Sequence, residues 1–302
     1  ADAGYVTTFA ANLRTDFYHM SQNRAVDAQG NRVEDGFTGR VHPQASVDWR
    51  YPFARQGSFG QQTIEPIAAV FVAPNGGNPN DIINEDSAVV EEDDTNLFSQ
   101  DRIPGRDRVE GGSRVAYGVK MSQFFGLNSR ISGFLGQSMR LRSDDGLGAE
   151  TGLKSSESDY LGYVDVAPNE YVDVLYRFQL DHDNLDLTRN EVGFRLGSEA
   201  LNVVGDYTHV RNRFDPEVDD IEEIRFRLNT EIDDNWRASA FTTRDLLSDG
   251  GSLRNGMNLT YEDECFILVS SFTRSYTRDA DVEPSDTIFF KLVFKTLGEV
   301  RL

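Results

Sequence analysis

The chain has 302 residues, with 50 acidic against 30 basic side chains and a formal net charge of −20. No basic surplus is left to neutralise phosphates, which excludes a nucleic-acid partner. Hydrophobic residues make up 38% and no run of about 18 apolar residues exists, so no transmembrane helix can form, whereas a membrane β-barrel, in which only alternate residues face lipid, stays open.

The first residues, Ala1-Asp2-Ala3-Gly4, carry neither the basic region nor the apolar core of a signal peptide. Strand-like alternation starts at once, so the chain is expected to begin inside a longer protein. From there the dominant period is two rather than 3.6. About fourteen segments show it, near 4–19, 38–53, 61–73, 110–124, 129–143, 157–167, 170–181, 187–198, 201–211, 221–231, 235–246, 252–261, 265–277 and 286–297. Ala45, Val47, Trp49 and Tyr51 oppose Gln44, Asp48 and Arg50. Val172, Val174, Tyr176, Phe178 and Leu180 oppose Asp173, Arg177, Gln179 and Asp181. Ile224, Phe226, Leu228 and Ile232 oppose Glu223, Arg225, Arg227 and Glu231, and Ile288, Phe290, Leu292 and Phe294 oppose Lys291 and Lys295. The apolar set of each strand is expected to face lipid. Strands of a soluble sandwich average about 5–6 residues; these segments are longer, the length a tilted strand needs to cross a bilayer.

The connectors alternate as well. Short turns sit at Gly126-Leu127-Asn128, Pro168-Asn169, Glu199-Ala200, Asp233-Asp234 and Glu262-Asp263-Glu264, and longer polar loops at 20–37, 74–109, 144–156, 212–220 and 278–285. Outer-membrane barrels sort their connectors this way, with short turns periplasmic and long loops outside. The predicted fold is therefore all-β, a transmembrane antiparallel β-barrel domain over 1–302, forming part of a larger barrel. A last strand ending in the periplasm at Leu297 places residue 4 there too. The segment 74–109 is too long for a plain connector. It is expected to be extracellular and folded into or over the lumen, with Glu85, Asp86, Asp93, Asp94, Asn96, Arg102, Arg106 and Arg108 as its polar groups.

Other chemistry finds little support. The acidic run Glu91-Glu92-Asp93-Asp94 offers hard oxygen ligands for a divalent cation, but such runs are more often simply solvated. Arg102, Arg106, Arg108 and Arg114 could meet lipid phosphates; pairing with the loop's own acids is favoured. The pairs Gly76-Gly77 and Gly111-Gly112 precede no helix and are not phosphate-binding loops. His19, His42, His182 and His209 are scattered, without metal-ligand spacing. No nucleophile–base constellation has local support, so no enzyme and no cofactor is expected.

The loop motif, with Asn75-Gly76-Gly77-Asn78-Pro79, Asp94-Thr95-Asn96-Leu97-Phe98 and Arg102-Ile103-Pro104-Gly105-Arg106-Asp107-Arg108-Val109-Glu110-Gly111-Gly112, is followed by Arg114 and Tyr117-Gly118. It comes after Gly39-Arg40-Val41-His42-Pro43-Gln44, Asp48-Trp49-Arg50-Tyr51-Pro52-Phe53 and Ile64-Glu65-Pro66. Gly136-Gln137-Ser138, Ser158-Asp159-Tyr160-Leu161-Gly162, Arg244-Asp245-Leu246 and Tyr261-Glu262-Asp263-Glu264-Cys265-Phe266 come after it in order. This ordered set spans nearly the whole chain and resembles the C-terminal half of the LptD family of lipopolysaccharide-assembly proteins, especially the alphaproteobacterial type. The resemblance implies a non-enzymatic outer-membrane translocon that inserts lipopolysaccharide (LPS) into the outer leaflet through a barrel of about 26 strands. It implies as partners LPS, outer-membrane lipid, a plug lipoprotein of the LptE type, and a periplasmic LPS-transport bridge reached through an N-terminal jellyroll outside these residues. The family's lateral gate lies between first and last strands, which points to Ile288, Phe290, Leu292 and Phe294 on the last one. Cys265 resembles a family cysteine that bridges to the periplasmic domain; a small residue facing lumen or lipid is the alternative. A general porin or receptor-type barrel is the competing function.

Overall fold

The structure, a computed structural model, describes residues 4–20, 36–79, 82, 84, 86–87, 92–126, 128–142, 156–212, 220–248, 250–277, 283–295 and 298–301. The expected loops 20–37, 144–156, 212–220 and 278–285 lie wholly or largely outside them, as does Glu85.

The described residues form strands and turns, without helices. The strands are β1 (Val6–Met20), β2 (Gly36–Arg50), β3 (Phe53–Gly57), β4 (Gly60–Val72), β5 (Ser113–Phe124), β6 (Arg130–Arg142), β7 (Tyr160–Asn169), β8 (Val172–Leu180), β9 (Leu187–Gly197), β10 (Leu201–Val210), β11 (Ile221–Glu231), β12 (Trp236–Asp245), β13 (Ser252–Glu262), β14 (Phe266–Ser275), β15 (Ser285–Phe294) and β16 (Gly298–Arg301). They follow one another in a single sheet in chain order, except that β3 lies off this path and β2 pairs directly with β4. Ladders run antiparallel, as in β1–β2 from Val6↔Arg50 to Met20↔Gly36.

Two differences from the sequence pattern stand out. The segment expected as one strand over 38–53 breaks at Tyr51-Pro52. Proline has no N–H to continue a ladder, and the chain restarts as a β3–β4 hairpin from Phe53↔Ile64 to Gly57↔Gly60. The segment 286–297 is not the last strand either: β15 ends at Phe294, and β16 pairs back on it from Phe294↔Gly298 to Lys291↔Arg301.

The chain makes two compact units, one of residues 1–123, 132–163 and 179–187, the other of 124–131, 164–178 and 188–302. In the first unit, the alternating pattern puts Phe9, Leu13, Phe17, Phe37 and Val41 on an exposed face, with Phe17 86% accessible. The opposite face buries Arg40, His42, Gln44, Ala69 and Phe71. A soluble protein does the reverse; large apolar groups outside and buried polar groups inside fit a sheet with lipid on one side. In the second unit Ile288, Phe290, Leu228 and Met257 are likewise exposed. Aromatic rings gather at the short-turn ends, as Tyr5, Trp49, Tyr51 and Phe53 in one unit and Trp236, Tyr261 and Phe266 in the other. Such girdles mark membrane interfaces.

Candidate functional site, a folded loop on the polar face

The described residues between β4 and β5 are folded against the polar face of the first unit. Apolar residues anchor it. Ile82, Leu97 and Val109 are buried, and Leu97 joins Ala69, Phe71, Ala116, Phe134 and Leu161 in the main apolar cluster, with Phe98 packed alongside. Local turns set the path between the anchors. The Asp93 carboxylate accepts the N–H groups of Thr95 (2.8 Å) and Asn96 (3.0 Å), and the Asn96 side chain accepts the Asp93 N–H at 3.0 Å. Aspartate and asparagine make such turns because a short side chain reaches the backbone two or three residues on.

Asp86 gathers a second turn, accepting the N–H of Arg106 at 2.8 Å and of Asp107 at 3.0 Å. Those backbone bonds hold its carboxyl below the usual range. Gly105 makes the approach possible. Its φ is +92°, and a Cβ there would sit 2.6 Å from the Asp86 carbonyl oxygen. Asn78 clips the two arms together, donating to the Val109 carbonyl and accepting the Val109 N–H, both at 2.8 Å.

Beneath the loop, β1 and β2 supply its polar seat. The Arg40 guanidinium donates to Asp16 at 2.6 Å and to the Asp107 carbonyl at 2.7 Å. Arg14, Arg40 and the Tyr18 hydroxyl all donate to the Arg106 carbonyl, Tyr18 at 3.0 Å. Gln44 donates to the Glu110 carbonyl at 3.3 Å, and His42 Nε2 lies 3.2 Å from the same oxygen.

The centre is Glu110, whose side chain is 3% exposed. Three arginines converge on it. Arg102 donates from Nε at 2.9 Å, Arg140 lies at 3.0 Å and Arg114 at 3.3 Å. Glu92 balances part of this charge, pairing with Arg102 and accepting the Ser138 hydroxyl at 2.7 Å. Arg114 also stacks over the Phe71 ring at 3.8 Å and donates to the carbonyls of Leu97 and Ser99. Burial pushes the Glu110 carboxyl up, but the bonds and charge of Arg102, with Arg114 and Arg140, outweigh it and hold the group down to about 2. Asp101 goes the other way, raised by burial against a bond from the Ile103 N–H.

Of the residues singled out in the loop, Arg102 pairs with the loop's own acids, while Arg106 and Arg108 enter the network through their backbones. Asp86, Asp93 and Asn96 are turn-makers, and Asp94 lies in the turn that Asp93 starts. Pattern reading placed Glu110 in a strand from 110, yet β5 starts at Ser113; Gly112, with φ +84°, turns the chain first. It also missed Arg40, His42 and Arg140 as the loop's seat. Nothing local in the sequence shows that a loop will cover the face on which they lie. Cys265 is exposed, in the turn before β14, where Asp263 accepts its N–H at 2.7 Å.

Residues 1–236 match the model of the LptD family, described as LPS transport system D. The LPS-assembly protein LptD of Saccharophagus degradans (strain 2-40) is 24% identical over 291 residues, an alignment covering 84% of this chain and 33% of that protein. The chain thus spans about a third of the length of this curated relative. A solved structure titled as a Salmonella typhi OmpF complex with daunomycin shares 10% identity over 95% of this chain and 97% of its own, with a TM-score of 0.37.

Proposed function

The chain belongs to the LptD family, outer-membrane β-barrel proteins of Gram-negative bacteria that serve transport and assembly, and we propose that it forms the C-terminal part of the barrel of a non-enzymatic translocon that inserts LPS into the outer leaflet. The observation that carries this reading is the family match over residues 1–236, on a chain whose strands expose their apolar face. Lipid would hold that face, and the polar face would line the path of the saccharide. In this reading the 74–109 loop is extracellular and fills lumen volume from the wall inward. Its many fixed contacts support a permanent filler rather than a swinging lid.

The partners follow from the same proposal. A plug lipoprotein of the LptE type would occupy lumen that the loop leaves free, and a periplasmic bridge would deliver LPS through a domain outside these residues. The terminal strands would form one side of a lateral gate, with Ile288, Phe290, Leu292 and Phe294 toward lipid. The pairing of β16 on β15 makes that gate edge a short hairpin. Cys265, exposed in a short turn, would join a disulfide to a periplasmic domain, since the periplasm is oxidising. Depletion of the intact protein in cells tests the function. New LPS is expected to accumulate at the inner membrane and to stop reaching the surface. Normal surface delivery in depleted cells, or large steady conductance by the purified protein as in a porin, would overturn it. Cysteines introduced at Thr95 and Pro104, both exposed in the loop, test the topology by labelling on intact cells; labelling from the periplasmic side alone would reject it.

A further inference from the structure

Cross-strand register on the polar face of the second unit lines up a patch of its own. One row of opposed residues runs Asn202, Asn229, Ser239, Asn258 and Ser271. The next runs Arg195, Val204, Arg227, Phe241, Gly256 and Thr273. The third holds Asp206, Arg225, Thr243 and Arg254. These three rows carry four arginines and one aspartate, a local positive excess inside a chain of net charge −20. Asp206 lies 3.8 Å from Arg225, which also pairs with Glu223 at 3.0 Å. Among the described residues, Arg195, Arg227 and Arg254 have no carboxylate within ion-pair distance, and all three are exposed.

Two of these guanidiniums share one aromatic ring. Arg227 lies 5.1 Å and Arg254 5.7 Å from the Phe241 centroid. Phe241 lies across Gly256, where a Cβ would meet the ring at 2.5 Å. The glycine thus lets the ring lie flat on the wall. The neighbouring row is uncharged and already trades hydrogen bonds, Asn229 to Asn202 at 2.9 Å and Asn258 to Ser239 at 3.1 Å. Arg195 also borders a cavity of about 370 Å³ at the short-turn end, whose other arginine, Arg130, is neutralised by Asp165 and Asp173.

We propose that Arg195, Arg227 and Arg254, with Phe241 and the asparagine–serine row, form a binding track for a phosphorylated saccharide on this wall. A guanidinium held beside a ring keeps its N–H donors and its planar fork, which suits phosphate. Amide and hydroxyl groups match sugar hydroxyls, which donate and accept as they do. An aliphatic ligand would find only Val204 and a Phe241 ring flanked by two guanidiniums, and a neutral sugar would leave the arginines unused. The proposal rests on the LPS-transport reading for the source of its ligand, but not for the chemistry of the site.

The test uses the intact protein with its native partners, and three probes: delipidated phosphorylated core oligosaccharide of LPS, the same oligosaccharide after phosphatase treatment, and inorganic phosphate. Charge-assisted hydrogen bonds at an exposed site predict that R227Q/R254Q weakens the first probe about 10-fold and the second hardly at all. Inorganic phosphate should bind far more weakly than the oligosaccharide. Equal binding of treated and untreated oligosaccharide by wild type, or an unchanged affinity in a variant that still migrates as folded barrel on unheated gels, overturns the proposal. Inorganic phosphate binding as tightly as the sugar reduces the patch to an anion site and overturns the track. R195Q, which leaves the Phe241 stack intact, provides the second variant should the double one fail to assemble. Loss of LPS delivery on depletion together with unchanged oligosaccharide affinity in R227Q/R254Q would sink this inference and leave the transport reading standing.

Discussion

Two patches of polar face, one in each unit, handle arginine in opposite ways. Under the loop, Arg40, Arg102, Arg114 and Arg140 are buried and their donors are taken by carboxylates and carbonyls of the same chain. On the wall around Phe241, Arg195, Arg227 and Arg254 are exposed and stack or stand free of carboxylates among the described residues. The covering segment makes the difference. Burial forces an arginine to find all its partners inside the protein, whereas an exposed one keeps its donors for something else. A filled wall and an open wall are thus built from the same strand pattern.

Removing the central acid is the sharpest way to break this contrast. Glu110→Ala leaves three guanidiniums around one lost carboxylate, and uncompensated buried charge costs about 3–5 kcal/mol. Asp286→Asn removes the partner of Arg274 on the exposed end of β15 and is expected to change nothing measurable. The temperature at which the folded band disappears on gels reads both. Equal losses would mean that the loop network is no more integral than a surface pair.

The faces themselves are tested by Val174→Arg and Asp173→Arg. Val174 belongs to the set expected to face lipid, with Val172, Tyr176, Phe178 and Leu180, while Asp173 pairs with Arg130 at 3.1 Å. Arginine on the lipid face near mid-bilayer costs about 2–4 kcal/mol. Assembly should fall for Val174→Arg and much less for Asp173→Arg, which forfeits one exposed pair; an equal fall at the two sites contradicts the face assignment.

Much of this was legible in the alternation. The strands begin and end within a few residues of the pattern because a lipid-facing strand must keep its apolar set in step, and a one-residue slip would turn every polar group outward. The break at Tyr51-Pro52 and the return of β16 were not legible, since both depend on which backbone groups find a partner rather than on hydropathy. In the loop, the residue types foretold acid–arginine pairing, which Arg102 makes with Glu92 and Glu110. They did not foretell that Arg106 and Arg108 would serve through their backbones, or that Arg40 and Arg140, 29 or more residues away along the chain from the loop groups they hold, would close the site. Contacts between distant residues leave no periodic trace.

A smaller effect comes from the fit of loop to wall. A Cβ on Gly77 would lie 2.6 Å from Val109 Cγ2 and 2.7 Å from His42 Nδ1, whereas nothing lies within 4 Å of one on Gly251. Overpacking costs about 1–3 kcal/mol. Gly77→Ala should therefore lower the unfolding temperature and expose loop backbone to added protease, while Gly251→Ala should do neither. Loop cleavage that rises equally in both variants would show that the loop is not wedged against His42.

The smallest expected effect is a pH dependence, and it reports the charge of Glu110. The folded carboxyl sits at about 2 against an ordinary 4.5. Between those values the unfolded chain binds a proton that the folded chain does not, so stability rises with pH there. The contribution is therefore fully present above pH 4.5 and is lost as pH falls toward 2. Between pH 5 and 3.5 the loss is about 1 kcal/mol by linkage. Asp101, raised by burial, has the opposite sign: its stabilising effect is present at low pH and fades as pH rises. The comparison is therefore made between Glu110→Gln and its parent, both carrying Asp101→Asn, by denaturant unfolding in detergent at pH 5 and pH 3.5. The parent should lose stability over that interval and Glu110→Gln should lose less, by about 1 kcal/mol. Identical losses would show that Glu110 titrates as it does in the unfolded chain, and that the three arginines do not hold its charge.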